Sequence, residues 1–113
     1  MIGADALFDP WFFGPTYPVR TRSGTANYDV LRFTRAHGGL NIYVHPAVGR
    51  DPFPANGTPG GFPLELVPDA VLGDVDAIEL ACLWSDELGT SQLWYRLLNL
   101  GLPVMPSAGS DAM

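Results

Sequence analysis

The apolar segments of this 113-residue chain are short and alternate with helical patterns, and this alternation restricts the folds that it can adopt. The predicted elements, in chain order, are helix 27–37, strand 40–45, helix 68–73, strand 75–82, helix 92–100 and strand 103–108. The strands are apolar along nearly their whole length, which is typical of strands buried on both faces. We therefore predict an α/β fold in which three parallel strands are joined by right-handed helical crossovers.

Capping residues and glycines set the expected helix ends. Asn27 is the expected N-cap of the first helix, Pro68 the first residue of the second, and Ser91 or Thr90 the N-cap of the third. A glycine at the end of each helix can adopt the left-handed conformation that terminates it. These glycines are Gly38, Gly73 and Gly101.

Two segments lack a clear period. Residues 1–26 are rich in proline and aromatic residues, and we interpret them as an irregular arm that precedes the α/β domain, residues 27–113. Residues 47–63 carry four prolines and four glycines. A connection of this length is unusual inside a compact domain, so a functional loop is expected here.

Composition excludes several classes of partner. The net charge is −6 and the chain has no lysine, which argues against nucleic acid and against anionic membranes. One cysteine, Cys82, excludes an intramolecular disulfide. No apolar run has the length of a membrane span and the first residues do not resemble a signal peptide, so we expect a cytoplasmic protein.

Polar side chains occur where the predicted strands end. His45 follows the first strand, Glu79 lies on the second and Asp111 follows the third. Ligand sites of parallel α/β folds lie at the carboxyl ends of strands, and imidazole and carboxylate groups suit Zn²⁺, Mn²⁺ or Fe²⁺. We expect chemistry at this edge of the sheet, although Asp111 could instead cap a following helix and Glu79 could equally lie at a solvated strand edge.

Other residues are weaker candidates for a functional site. Trp84 and Asp86 follow the second strand and are candidates for a substrate pocket, although an ordinary loop explains them as well. Cys82 is interpreted as a small core residue because no histidine is close to it in sequence. His37 ends a helix, where an imidazole commonly interacts with the last carbonyl groups. No residue is assigned a catalytic role beyond metal binding.

Three blocks of sequence resemble the later part of the PHP (polymerase and histidinol phosphatase) metallohydrolase superfamily, and in particular its carbaryl-hydrolase-like branch. The blocks are GGLNIYVHP, LELVPDAVLGDVDAIEL and LWYRLLNLGLPVMPSAGSDAM. They occur in the family's order, and the resemblance covers roughly residues 28–113.

The resemblance implies a distorted (β/α)7 TIM-like barrel that holds two or three divalent transition-metal ions, Zn, Mn or Fe, at its strand ends. It implies a hydrolase that uses a metal-activated water on a small phosphoester, carbamate or carboxylic ester. His45, Asp111 and Glu79 match family positions that bind metal.

The chain also departs from the family pattern. It has two histidines and no HxH motif, and Asp111 is followed by Ala112 and Met113 where many members have DxH. We therefore expect a C-terminal-side fragment of a longer barrel protein, inactive by itself and able to self-associate through unpaired sheet edges. The alternative is a non-catalytic scaffold or binding member of the family.

Overall fold

A computed structural model of the 113-residue chain describes residues 3–6, 26–46, 65–82 and 87–110. Three helices alternate with three strands. In chain order they are α1 (Asn27–Ala36), β1 (Ile42–Tyr43), α2 (Leu66–Val71), β2 (Ala77–Ala81), α3 (Glu87–Asn99) and β3 (Met105–Ala108). The predicted α-β-α-β-α-β order is confirmed.

The three strands form one open parallel sheet in the order β1-β2-β3. In the central strand, Ala77 pairs with Ile42 of β1 on one side and with Met105 of β3 on the other. All three carboxyl ends therefore lie at the same edge of the sheet, as the sequence predicted. The barrel expected from the family resemblance requires more strands than the described residues contain.

The helix ends agree with the glycine pattern, whereas the starts differ from prediction. The three predicted stop glycines, Gly38, Gly73 and Gly101, all have positive φ. The N-cap of α1 is Ala26 rather than Asn27, because the Asn27 side chain donates a hydrogen bond to the Tyr43 hydroxyl instead. Since Asp29 Oδ2 accepts the Ala26 N–H, the first turn is still capped.

The other two helices begin earlier than predicted. α2 starts at Leu66, so Pro68 is its third residue, a position in the first turn where an N–H has no intrahelical acceptor. α3 starts at Glu87, which places the predicted cap Thr90 inside the helix and fully buried. β1 is shorter than the predicted 40–45 and spans two residues.

The core lies between the helices and one face of the sheet. Tyr43 and Ile78, which are paired across β1 and β2, project into it. All three helices contribute apolar side chains, among them Leu31, Leu66, Leu93 and Leu97. Because strand residues alternate between faces, Ala77 and Glu79 belong to the opposite face of β2.

Several predictions fall outside the described residues. Most of the aromatic arm 1–26 and all of the loop 47–63 belong to this group, as do Trp84, Asp86 and Asp111. Within the described ranges, no helix has the length and apolar character needed to cross a membrane.

Candidate metal centre

His45 lies just beyond the carboxyl end of β1, as the sequence predicted. Its φ is 49°, the only positive value for a non-glycine residue in the described part of the chain. Such a backbone costs on the order of 1–3 kcal/mol and persists where the surrounding structure fixes it, often at functional sites. The imidazole is about one-third exposed, so it can be reached from solvent.

Glu79 lies in the middle of β2, on the face opposite the helical core. Its residue exposure is 7 %. Oε2 accepts a hydrogen bond from the His45 backbone N–H at 3.3 Å and lies 3.8 Å from Nδ1 of the same residue. A buried carboxylate is costly unless it is paired or coordinates a metal, so its position favours a cation here.

A bulge in β2 brings Cys82 to the same side as Glu79. Glu79 pairs with Ser107 of β3 and Ala81 pairs with Ala108, so two steps along β2 correspond to one step along β3. In a regular strand Glu79 and Cys82 would point to opposite faces, because they are three residues apart. The extra residue shifts the alternation by one position, and bulges often redirect side chains next to functional sites in this way.

The three side chains offer one ligand atom each, and these atoms lie within 4.8 Å of one another. Cys82 Sγ is 3.5 Å from His45 Nδ1, and Glu79 Oε2 is 3.8 Å from the same nitrogen. A tetrahedral ion with ligands at about 2.0–2.3 Å separates neighbouring ligand atoms by about 3.3–3.8 Å. The group His45, Glu79 and Cys82 can therefore hold a metal ion.

The same distances argue against a Cys–His–Glu relay. In such a relay the carboxylate and the thiol occupy different nitrogens of the imidazole. Here Cys82 and Glu79 both face Nδ1 of His45. A thiol and a carboxylate that face the same nitrogen suit an ion between the three groups better than a proton relay through the imidazole.

The structure describes only some of the predicted site residues. His45 and Glu79 lie together, as expected, whereas Asp111 and the pocket candidates Trp84 and Asp86 are outside the described residues. Cys82 is buried, in agreement with its interpretation as a core residue, but its place beside His45 was not predicted. The available signal was its position as the last residue of the predicted strand 75–82.

His37 lies elsewhere. Its Nδ1 is 2.6 Å from Asp5 Oδ1, and its ring contacts Phe33 with a centroid separation of 4.2 Å. The backbone N–H of His37 donates to the carbonyl groups of Phe33 and Thr34 at the end of α1. It belongs to the helix terminus, as predicted, and not to the His45 group.

Comparison with known proteins identifies no relative: no family model matches the chain, and neither does any curated protein or solved structure.

Proposed function

We propose that this protein is a metal-dependent hydrolase of the PHP type whose metal centre includes His45, Glu79 and Cys82. The observation that carries the proposal is the convergence of three donor atoms: His45 and Cys82 follow the carboxyl ends of β1 and β2, and Glu79 lies within β2 beside them. This is where α/β proteins place their ligands. The block resemblance described above supplies the reaction class: hydrolysis of a small phosphoester, carbamate or carboxylic ester.

The donor set favours Zn²⁺ over harder ions. A thiolate ligand selects zinc among the divalent ions proposed, whereas Mn²⁺ prefers oxygen ligands. Three protein ligands leave a coordination position for water, and a bound Zn²⁺ would lower the pKa of that water toward neutrality. Asp111, two residues beyond Gly109, is proposed as a further ligand on the basis of the family resemblance, which also implies a second or third ion.

Each side chain has a distinct part in the proposal. Glu79 supplies a negative charge for the cation from a buried position, since the residue is 7 % exposed. Cys82 supplies a second anionic donor and is buried to a similar degree. His45 is the most exposed of the three, so the open side of the centre, where a substrate would enter, lies along its imidazole.

Metal binding by the purified chain tests the proposal. After removal of any affinity tag and of metal by a chelator, Zn²⁺ titration followed by calorimetry should reveal a tight site. His45→Ala and Cys82→Ala should each weaken binding at least tenfold, in line with the loss of a direct ligand. His37→Ala is the matched control and should bind Zn²⁺ as the unchanged chain does.

Two further measurements separate metal binding from hydrolysis. Co²⁺ substitution should give a thiolate charge-transfer absorption that Cys82→Ser abolishes. Aryl ester, aryl carbamate and aryl phosphate substrates should then be assayed with and without Zn²⁺. Binding without hydrolysis of any of them would favour the alternative, a non-catalytic metal-binding or scaffold protein. Absence of any bound ion would refute the centre itself.

A further inference from the structure

We infer that Gly109 is a positioning residue for this centre, because the lack of a side chain there leaves the space that the Glu79 carboxylate occupies. The expected effect on metal binding rests on the proposed function, whereas the contact between residue 109 and Glu79 rests on the geometry at the end of β3. Gly109 directly follows β3, and its backbone N–H donates to the carbonyl oxygen of Ala81 at 3.0 Å. That hydrogen bond holds Gly109 beside the bulge in β2.

The space in question is filled by one oxygen atom. A Cβ atom built on Gly109 would overlap Oε1 of Glu79 and lie 3.5 Å from its Cδ. Apart from Gly109 and its two chain neighbours, no other described residue has an atom within 4 Å of that position. The carboxylate is the free end of a flexible side chain, so the side chain and not the strand would yield to an added methyl group.

The backbone at Gly109 does not itself require glycine. The glycines with positive φ among the described residues do not include Gly109, so an alanine fits the backbone conformation there. Gly109→Ala is therefore expected to fold and to keep its hydrogen bond to Ala81. What it should change is the position of Oε1 and, with it, the direction of Oε2 toward His45.

A small displacement is sufficient to impair the centre. Metal–ligand distances are held to about ±0.2 Å, and loss of a group that orients a ligand typically weakens metal affinity 10- to 100-fold. We expect Gly109→Ala to weaken Zn²⁺ binding within roughly that range. Ala108→Ser, which also adds one atom at the end of β3, is the matched control and should leave affinity unchanged.

Shortening the carboxylate should remove the conflict. In a Glu79→Asp background the carboxylate retreats by one methylene, so it no longer reaches the place that a Cβ on residue 109 would occupy. In that background, Gly109→Ala should lower Zn²⁺ affinity little further than Glu79→Asp alone does. The two substitutions should therefore be non-additive in a double-mutant cycle. A metal-free readout is the amide proton shift of His45, whose N–H donates to Glu79 Oε2.

The outcomes are distinct. Weakened Zn²⁺ binding with an unchanged melting temperature, relieved in the Glu79→Asp background and accompanied by a shifted His45 amide, supports the inference. Unchanged binding by Gly109→Ala, an equal loss in both backgrounds, or failure of Gly109→Ala to fold overturns it while leaving the proposed function intact. Absence of metal binding by the unchanged chain overturns both.

Discussion

Asp69, in α2, has a buried carboxyl group, and the Tyr43 hydroxyl is its hydrogen-bond partner. Asp69 is 3 % exposed, and its Oδ2 accepts a hydrogen bond from the Tyr43 hydroxyl. Burial raises the pKa of Asp69, the Tyr43 hydrogen bond opposes that rise, and the nearby charge of Asp74 adds to it. Burial also raises the pKa of the Tyr43 hydroxyl, which stays protonated and able to donate.

The raised pKa of Asp69 predicts a pH-dependent loss of stability. The folded chain holds the Asp69 proton more tightly than the unfolded chain does, so ionisation opposes folding. The penalty is absent well below about pH 3.9, the ordinary value for aspartate, and grows as the pH rises through that value toward the folded-state pKa. Asp69→Asn removes it, so the stability of the mutant relative to the unchanged protein should rise as the pH increases above about 3.9.

Urea unfolding of both proteins across that pH range measures the effect. Glu87→Gln, which removes an exposed carboxylate in the first turn of α3, is the matched control. A difference between Asp69→Asn and the unchanged protein that stays constant with pH would contradict the prediction.

At single residues, sequence predicted the site in part. His45 was predicted because an imidazole directly after an apolar strand has a clear place in a parallel α/β fold. Sequence left Glu79 as either a metal ligand or a residue at a solvated strand edge. Its burial argues against the solvated edge but does not establish a function. Cys82 was missed as a neighbour of His45 because the contact spans 37 positions of the chain and depends on a bulge that has no clear sequence signature.

Among the elements, α1 and the strands are tied together by Asn41. Its side-chain amide donates to the carbonyl oxygens of Leu31 in α1, at 3.0 Å, and of Asp74, at 2.8 Å. Its backbone carbonyl accepts from Asp76 and Ala77 at the entry to β2. Asn41 is 1 % exposed, so these groups have no access to water as an alternative partner.

Replacing Asn41 is expected to loosen α1 from the sheet. Asn41→Ala removes the hydrogen bonds that its side chain donates to Leu31 and Asp74, each of which should contribute about 0.5–1.5 kcal/mol. Chemical denaturation should show this as a lower free energy of unfolding. Asn99→Ala, at the exposed end of α3, is the control and should change stability by less than about 0.5 kcal/mol. Equal losses in the two variants would show that the Asn41 hydrogen bonds contribute nothing specific.

Element order was predictable from sequence, whereas element limits were only partly so. Glycine marks helix ends through backbone sterics alone, and all three predicted stops are confirmed. Helix starts depend on which partner a capping side chain finds, and Asn27 donates to Tyr43 of a distant strand instead of its own helix. Such long-range competition cannot be deduced from the local pattern around Asn27.

The molecule as a whole presents an open sheet. Within the described ranges, β1 and β3 each pair with β2 alone, so each has one edge without a strand partner. Large apolar side chains near these edges are exposed, including Met105 at 65 % and Val44 at 54 %. Exposed edges of this kind template pairing with another strand, and a second copy of the chain is the partner that we propose.

Self-association should therefore depend on concentration and on the character of the β3 edge. We expect sedimentation to show mass above that of the 12.2 kDa monomer as concentration rises. Met105→Glu should shift association to at least roughly tenfold higher concentration, because a charge on an edge strand disfavours pairing. Val71→Glu, which adds the same charge to an exposed position on α2, is the control. Monomeric behaviour of the unchanged chain at all concentrations would refute the prediction.

The extra residue in β2 also determines which other sequences can assemble the same three donors. With the bulge, the glutamate and the cysteine are three positions apart, as in Glu79-Leu80-Ala81-Cys82. A chain whose equivalent strand is regular would need the two donors two positions apart to place them on a shared face. Proteins that lack this bulge should therefore be searched for E-x-C at the end of an apolar strand. An H-P pair, like His45-Pro46, should precede that strand in the chain.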